Sequence, residues 1–449
     1  MKQVKQRTFL VALLVLLLLT GTVIFCVKYA VSGREWAEFP ANGHAYTEGR
    51  LSSGQILDRN GVLLYDAASG QYAEDGELRM ATLHAVGDPD NNISTSAKAA
   101  LDSHLIGYNF LTGTTTGGHR LYLTLDAELN RTAYEALAGR KGTVAVYNYQ
   151  TGDILCMVST PTFDPADPPE ISDDDEGYEG VYLNRFLSSA FPPGSVFKLV
   201  TAAAAVDHIP DLWDRTFTCS GSVDIEGDRI TCPYAHGQMD FRDALACSCN
   251  GVFAQLAVEL GGDTLRSYAE SAGLLSEHTV SGIPAASGSF EVSSGSQLGW
   301  SGVGQFNDLV NPCSLLTLMG TIAGDGTAAQ PRLIARETSM SGISRTTDVD
   351  AESISTWSKS TCLLLRNMMR NNVTASYGQY RFGDLPVCAK SGTAEVGIGQ
   401  SPHAWFCGFL DDPDHPLAFV VLVENGGSGA DVAGTIAAQV LRQAAADNE

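Results

Sequence analysis

The stretch 192–206, PPGSVFKLVTAAAAV, decides how this chain is read. Pro193 and Gly194 make a sharp entry, and the apolar run behind them predicts a helix buried nearly all round. Ser195 then falls at the helix N-terminus, and Lys198, three positions on, faces the same side. The free N–H groups and partial positive charge of a helix end, together with burial, disfavour an ammonium. A lysine so placed is neutral enough to accept the proton of the serine hydroxyl, which is the activation a serine nucleophile needs. By itself S-x-x-K is a weak signal, met in many chains as a capped helix with a surface lysine. Here the lysine sits in an otherwise apolar helix, where an unpaired charge is costly, and that favours the chemical reading.

Two further stretches carry reactive groups. Ser248-Cys249-Asn250 opens the helical run GVFAQLAVEL. Its hydroxyl can relay a proton and its amide can bind a substrate amide with one donor and one acceptor; in isolation it is an N-cap serine beside an amide. Lys390-Ser391-Gly392-Thr393 lies in an apolar strand pattern. Gly392 lets another backbone lie close, Lys390 adds positive charge, and Ser391 and Thr393 offer hydroxyls to a carboxylate. In isolation that is a solvated strand with a glycine bulge.

Outward from these motifs, 54–64 predicts two short strands about an Asn60-Gly61 turn. A helix starts at N-cap Asp126, with Leu129, Ala133 and Leu137 on one face and Gly139 as its stop. Strands are expected at 143–147 and 154–159, joined as a hairpin, and again at 385–395, 403–410 and 417–424; helices are expected over 240–260 and 431–446. Strands at both ends of a segment with helices between them imply one sheet built from both ends. The acidic run Asp173, Asp174, Asp175 and Glu176 reads as a solvated loop.

The 449 residues carry a net charge of −23 with 44% hydrophobic and 18% charged residues. That composition excludes disorder as the main state, and the acidity argues against nucleic acid as a partner. Lys2, Lys5 and Arg7 precede a stretch, Thr8 to Val27, without a charge. As a helix it reaches about 30 Å, the thickness of a bilayer core. A cleaved leader is the alternative, with Ala30 and Ser32 as a small-residue site, but the apolar run exceeds the usual leader core of about 7–15 residues. Cys26 is a poor lipid-attachment site because Phe25 stands where a small residue is wanted. The basic residues belong on the cytoplasmic side. The expected layout is therefore a cytoplasmic tail (1–7), a single-pass anchor in the cell membrane (8–28), an extracellular pedestal (29–139) and a catalytic domain (140–446).

There are 10 cysteines. Cys219 and Cys232 bracket SGSVDIEGDRIT and suit a bridged hairpin, the first hypothesis outside the cytoplasm. With His236 they are alternatively zinc ligands, on a spacing that lacks a C-x-x-C pair. Most of the others sit in apolar strings as small buried side chains.

The three motifs in this order resemble the S-x-x-K, S-D-N and K-T-G set of β-lactamases and penicillin-binding proteins. With Cys249 inside the second motif, and Ser391 and Thr393 in the third, they are most similar to the transpeptidase domain of class B penicillin-binding proteins. The resemblance extends over residues 50–445: Gly54–Asp66, GGHRLYLTLDAELN (117–130), TGDILCMVSTPTFDP (151–165), NRFLSSAFPPGSVFK (184–198), His236-Gly237, Gly304-Gln305 and Ala404-Trp405-Phe406-Cys407-Gly408. It implies an α/β fold of the penicillin-binding transpeptidase and serine β-lactamase type, with a mainly antiparallel sheet flanked by helices, a transmembrane helix and a small dimerisation-like pedestal. It implies Ser195 as the acylated nucleophile and Lys198 as its base. Ser248 would pass the proton to the leaving group, Asn250 hold the substrate amide, and Lys390 stabilise charge. Ser391, Gly392 and Thr393 would line the carboxylate site, and the backbone N–H groups of Ser195 and Thr393 would form the oxyanion hole.

The implied partners are peptidoglycan stem peptides ending in D-Ala-D-Ala, β-lactams as covalent inhibitors, the membrane and a SEDS-type glycan polymerase. No cofactor and no metal is implied. The short segment before the catalytic domain leaves no room for a glycosyltransferase and resembles the A-type enzymes of Gram-positive bacteria. The alternatives are a D,D-carboxypeptidase or serine β-lactamase, in which water takes the acyl group, and a non-enzymatic penicillin-binding sensor. Cys247 and Cys249 flanking Ser248 depart from the family's usual texture; oxidation or metal binding there would distort the second motif.

Overall fold

The computed structural model describes residues 2–38, 54–101, 105, 108–109, 114–115, 118–172, 174–340, 342–344, 352–397 and 399–446. The N-terminal helix Lys2–Glu38 contains Val4–Ser32, a stretch long and apolar enough to cross a membrane. Its apolar side chains, Leu14 and Phe25 among them, are exposed, as they must be to meet lipid.

The main sheet has five strands in the order Val387–Ala394, His403–Leu410, Leu417–Val423, Gly142–Asn148, Ile154–Thr160, and every neighbouring pair is antiparallel. The two ends of the segment 142–423 thus build one sheet, as the strand signals imply. Alternation along each strand sorts side chains to two faces. In Leu417–Val423, Leu417, Phe419, Val421 and Val423 join one core, while Ala418, Val420 and Leu422 join the other. The first core is closed by helices Ala127–Leu137 and Gly434–Ala446, the second by Lys198–His208, Asn250–Leu260 and Pro312–Ala323. Burial on both faces explains why these strands read as unbroken apolar strings.

A second five-stranded sheet has the order Ile334–Ser339, His119–Leu123, Gln55–Leu57, Leu63–Asp66, Gln71–Tyr72. Its outer strand Ile334–Ser339 comes from far along the chain and pairs antiparallel with His119–Leu123. The 54–64 turn is organised by Asp58, whose carboxylate accepts from the N–H groups of Asn60 and Val62 at 2.8 and 2.7 Å. Asp126 caps the helix Ala127–Leu137 as expected, but Ala138, at φ 49°, ends it one residue before Gly139.

A small lobe stands beside the helical side. Phe217–Cys219 pairs with Gly237–Met239, and Ser222–Ile225 with Asp228–Thr231 about a two-residue turn. That turn, Glu226-Gly227, has positive φ at both positions, the hairpin geometry that matches strand twist. The helix expected over 240–260 is broken in two, Phe241–Ala246 and Asn250–Leu260. Of the acidic run, Asp173 lies outside the described residues; Asp174, Asp175 and Glu176 are exposed in the loop.

Candidate active site

The turn that carries Ser195 is pressed against the edge of the main sheet. Gly194 has φ +54°, and a methyl placed there would meet Thr393 O at 2.8 Å. Across the contact, a methyl on Gly392 would lie 2.9 Å from Pro193 O and 3.0 Å from Val196 Cγ1. The close backbone approach expected at Gly392 is therefore made by this turn. Trp405 Nε1 donates to Pro192 O at 2.9 Å, and Gly194 N to Gly304 O at 2.9 Å, so the turn is held from both sides. Ser195 lies on a 3-10 turn, Gly194–Phe197, and the α-helix starts at Lys198.

The break between Phe241–Ala246 and Asn250–Leu260 positions the second motif. Cys249 N donates to Ala244 O and Ser248 N to Leu245 O, the paired bonds that end a helix about a left-handed residue. That residue is usually glycine; here it is Ser248, at φ 57°. A non-glycine residue in this region costs roughly 1–3 kcal/mol and persists only where its surroundings impose it. The consequence is a hydroxyl aimed at two lysines.

Lys198 and Lys390 are both fully buried. Lys198 Nζ lies 2.6 Å from Ser248 O, 2.7 Å from Asn250 Oδ1 and 3.0 Å from Ser248 Oγ. Lys390 Nζ lies 3.0 Å from the same Ser248 Oγ and 2.8 Å from Ser391 O. Burial first, and then the neighbouring charge of Lys390, hold the Lys198 amine well below the ordinary lysine range. A neutral amine has two N–H donors for Ser248 O and Asn250 Oδ1 and keeps one lone pair for a hydroxyl proton.

The structure thus brings together Ser195, Lys198, Ser248, Asn250, Lys390, Ser391, Gly392 and Thr393. One expectation changes: the hydrogen bonds of Lys198 go to Ser248 and Asn250 rather than to Ser195, because the Ser248–Asn250 turn presents a carbonyl, an amide oxygen and a hydroxyl to the amine together. The Cys219–Cys232 bridge is also absent; both are free thiols. The hairpin Ser222–Thr231 closes on its own ladder, and the two thiols meet His236 and Cys249 in one cluster rather than as a lone pair.

Sequence reasoning missed Tyr377, whose hydroxyl is 3.0 Å from both Ser391 N and Ser391 Oγ. It caps an N–H on the outer side of an edge strand. It also missed Asn372, which donates to Ala389 O at 2.9 Å, and it gave no role to Gln305, which accepts from Glu395 N at 3.1 Å. The Gly304-Gln305 pair was visible as family texture; Tyr377 and Asn372 carry no local signal.

Residues 142–443 match the family model described as the penicillin binding protein transpeptidase domain, and the chain belongs to that family. It is 28% identical over 359 residues to the peptidoglycan D,D-transpeptidase PbpA of Mycolicibacterium smegmatis, covering 71% of this chain and 70% of the relative. The protein of the same name from Mycobacterium tuberculosis is 26% identical over 352 residues, with the same coverage. Among solved structures, an imipenem acyl-enzyme complex of penicillin-binding protein A from M. tuberculosis superposes with TM-score 0.77 at 26% identity, covering 88% of this chain and 98% of that one. The D,D-transpeptidase domain of a peptidoglycan glycosyltransferase from Eggerthella lenta gives 0.76 at 25% identity, covering 89% and 99%. These likenesses bear out the class B family and the fold expected from the three motifs.

Proposed function

We propose that this protein is a membrane-anchored peptidoglycan D,D-transpeptidase working through an acyl-serine. The observation that carries the reading is the meeting of Lys198 Nζ and Lys390 Nζ on one hydroxyl, Ser248 Oγ, each at 3.0 Å, beside the Ser195 turn.

In the first half-reaction Ser195 Oγ attacks the carbonyl carbon between the two D-Ala residues of a stem peptide, and its proton passes to the neutral Lys198 amine. The N–H groups of Ser195 and Thr393 hold the developing oxyanion. The C–N bond breaks, the leaving nitrogen takes a proton by way of Ser248, and D-Ala departs, leaving an ester on Ser195. Asn250 holds the donor's amide, and Lys390, Ser391 and Thr393 its terminal carboxylate. An amine of a second stem peptide then attacks the ester, its proton returns through the same pair, and Ser195 is restored. β-Lactams stop the cycle at the ester. Among the described residues, no Asp or Glu side chain hydrogen-bonds Ser195, Lys198, Ser248 or Lys390, which supports transfer to an amine over rapid hydrolysis by a carboxylate-activated water.

The basic residues before the apolar helix support an extracytoplasmic catalytic domain, and the family resemblance alone supports a glycan polymerase of the SEDS type as its partner in the same membrane. The test is intact mass of the detergent-purified chain after benzylpenicillin. One penicilloyl adduct that is lost in Ser195→Ala supports the reading. Equal labelling of the variant sinks the nucleophile assignment, and release of the adduct within seconds favours a β-lactamase.

A further inference from the structure

The small lobe and the Ser248–Asn250 turn together hold four groups that the acyl-transfer reading does not use. Cys219, Cys232, His236 and Cys249 present one ligand atom each, and all four atoms lie within 4.8 Å of one another. We propose that they form a closed structural zinc site that ties the lobe to the Ser248–Asn250 turn.

The distances suit a tetrahedron. With Zn–S near 2.3 Å and Zn–N near 2.0–2.1 Å, its S···S edge is about 3.8 Å and its S···N edge about 3.5 Å. Cys232 Sγ and Cys249 Sγ are 3.8 Å apart, and Cys219 Sγ and His236 Nδ1 are 3.3 Å apart. Three thiolates and one imidazole are a soft donor set that selects zinc among the common divalent ions. Four protein ligands leave no open position, so the ion would be structural. Loading releases the three thiol protons to solvent as three Zn–S bonds form. Gly251 N points at Cys232 Sγ from 3.4 Å, an N–H donor suited to a metal-bound sulfur.

The ligands' places say what the ion would do. Cys219 ends one strand, Cys232 follows another, His236 precedes a third, and each belongs to a two-stranded sheet or its edge. Two-stranded sheets are marginal alone, and a metal is a common staple for them. Cys249 lies between Ser248 and Asn250, whose side chains reach Lys198. Asn250 Nδ2 also donates to Thr231 O, next to Cys232, at 2.8 Å. The ion would therefore offset the cost of the left-handed Ser248 and fix two side chains of the cleft from behind.

The experiment uses the full chain, purified in detergent without chelator. Elemental analysis is expected to find about one zinc per chain. After stripping, Co2+ alone should give the intense visible bands of tetrahedral thiolate-bound cobalt, bleached by Zn2+. Cys219→Ser and Cys232→Ser should each weaken cobalt binding beyond the roughly 10–100-fold typical of outer-shell changes. Cys247→Ala, whose Sγ packs on Met239 Sδ, should not. The stripped wild-type chain should acylate more slowly and recover with zinc. Absence of zinc with no tetrahedral cobalt spectrum overturns the proposal, even if the cysteine variants misfold. So does a disulfide between any two of these cysteines in the freshly isolated, alkylated chain. Metal content is read without penicillin, so its failure is distinct from failure of the transpeptidase reading.

Discussion

The strand Val387–Ala394, which carries Lys390, and the turn Ser248–Asn250, which touches both lysines, line the same site but are held in place by different means. The strand lies in a sheet buried on both faces, with Gly392 in register with Trp405 and Thr393 with Ala404. The turn hangs between two helices and leans on a lobe of two two-stranded sheets, with Cys249 Sγ and Asn250 Nδ2 as its ties. One wall owes its position to hundreds of weak dispersion contacts, the other to a few polar ones. The difference means that substitutions in the strand wall act through steric fit, whereas those in the turn act through protonation and ligation.

Between these walls, Ser195→Ala has the largest expected effect, complete loss of the penicilloyl adduct by mass spectrometry with an unchanged fold by circular dichroism. Next comes Lys198→Ala, which removes the amine proposed as the base; single-turnover acylation is expected to slow by roughly 10²–10⁴. The turn wall is probed by Asn250→Asp, which sets a carboxylate where Oδ1 now lies 2.7 Å from Lys198 Nζ. In the proposed mechanism Lys198 reacts as the neutral amine, and its lowered pKa keeps it neutral to lower pH. An adjacent negative charge reverses that, so the acid limb of acylation against pH should move up by about 1–3 pH units. An unmoved limb would remove Lys198 from the base role.

The strand wall is probed by Gly392→Ala, whose new methyl meets Pro193 O at 2.9 Å and Trp405 Cβ at 3.0 Å. It should destabilise by about 1–3 kcal/mol, read from urea unfolding, and slow acylation without moving its pH profile. The smallest effect is expected of Tyr377→Phe, which leaves Ser391 N without its partner. A cost of about 1 kcal/mol, seen as a modest rise in KM for a D-Ala-D-Ala peptide at near-constant kcat, would place Tyr377 as a positioning residue. A large fall in kcat would show that it touches the reacting atoms.

The local pattern alone was enough for the membrane-length helix, the hairpin at 143–159 and the three closing strands, because each depends on periodicity or composition within a short window, whereas the second and third motifs gained their meaning only from resemblance to a known set. The break at Ser248 was hidden, since a serine in a left-handed conformation has no marker like glycine's. Tyr377 was hidden too, because its partner, Ser391, meets it only when the strand docks.

What the sequence by itself determined is the kind of chemistry available: a serine with a lysine one turn on, in an apolar helix that leaves that lysine little choice but to lose its charge. What only the tertiary structure decided is where the hydroxyls, amides and thiols end up. The bonds of Lys198 run to residues some fifty positions away, and Cys219 and Cys232 gather with His236 and Cys249 in one cluster. Such pairings depend on which surfaces are buried against each other, and burial is a property of the folded whole that no window of sequence contains.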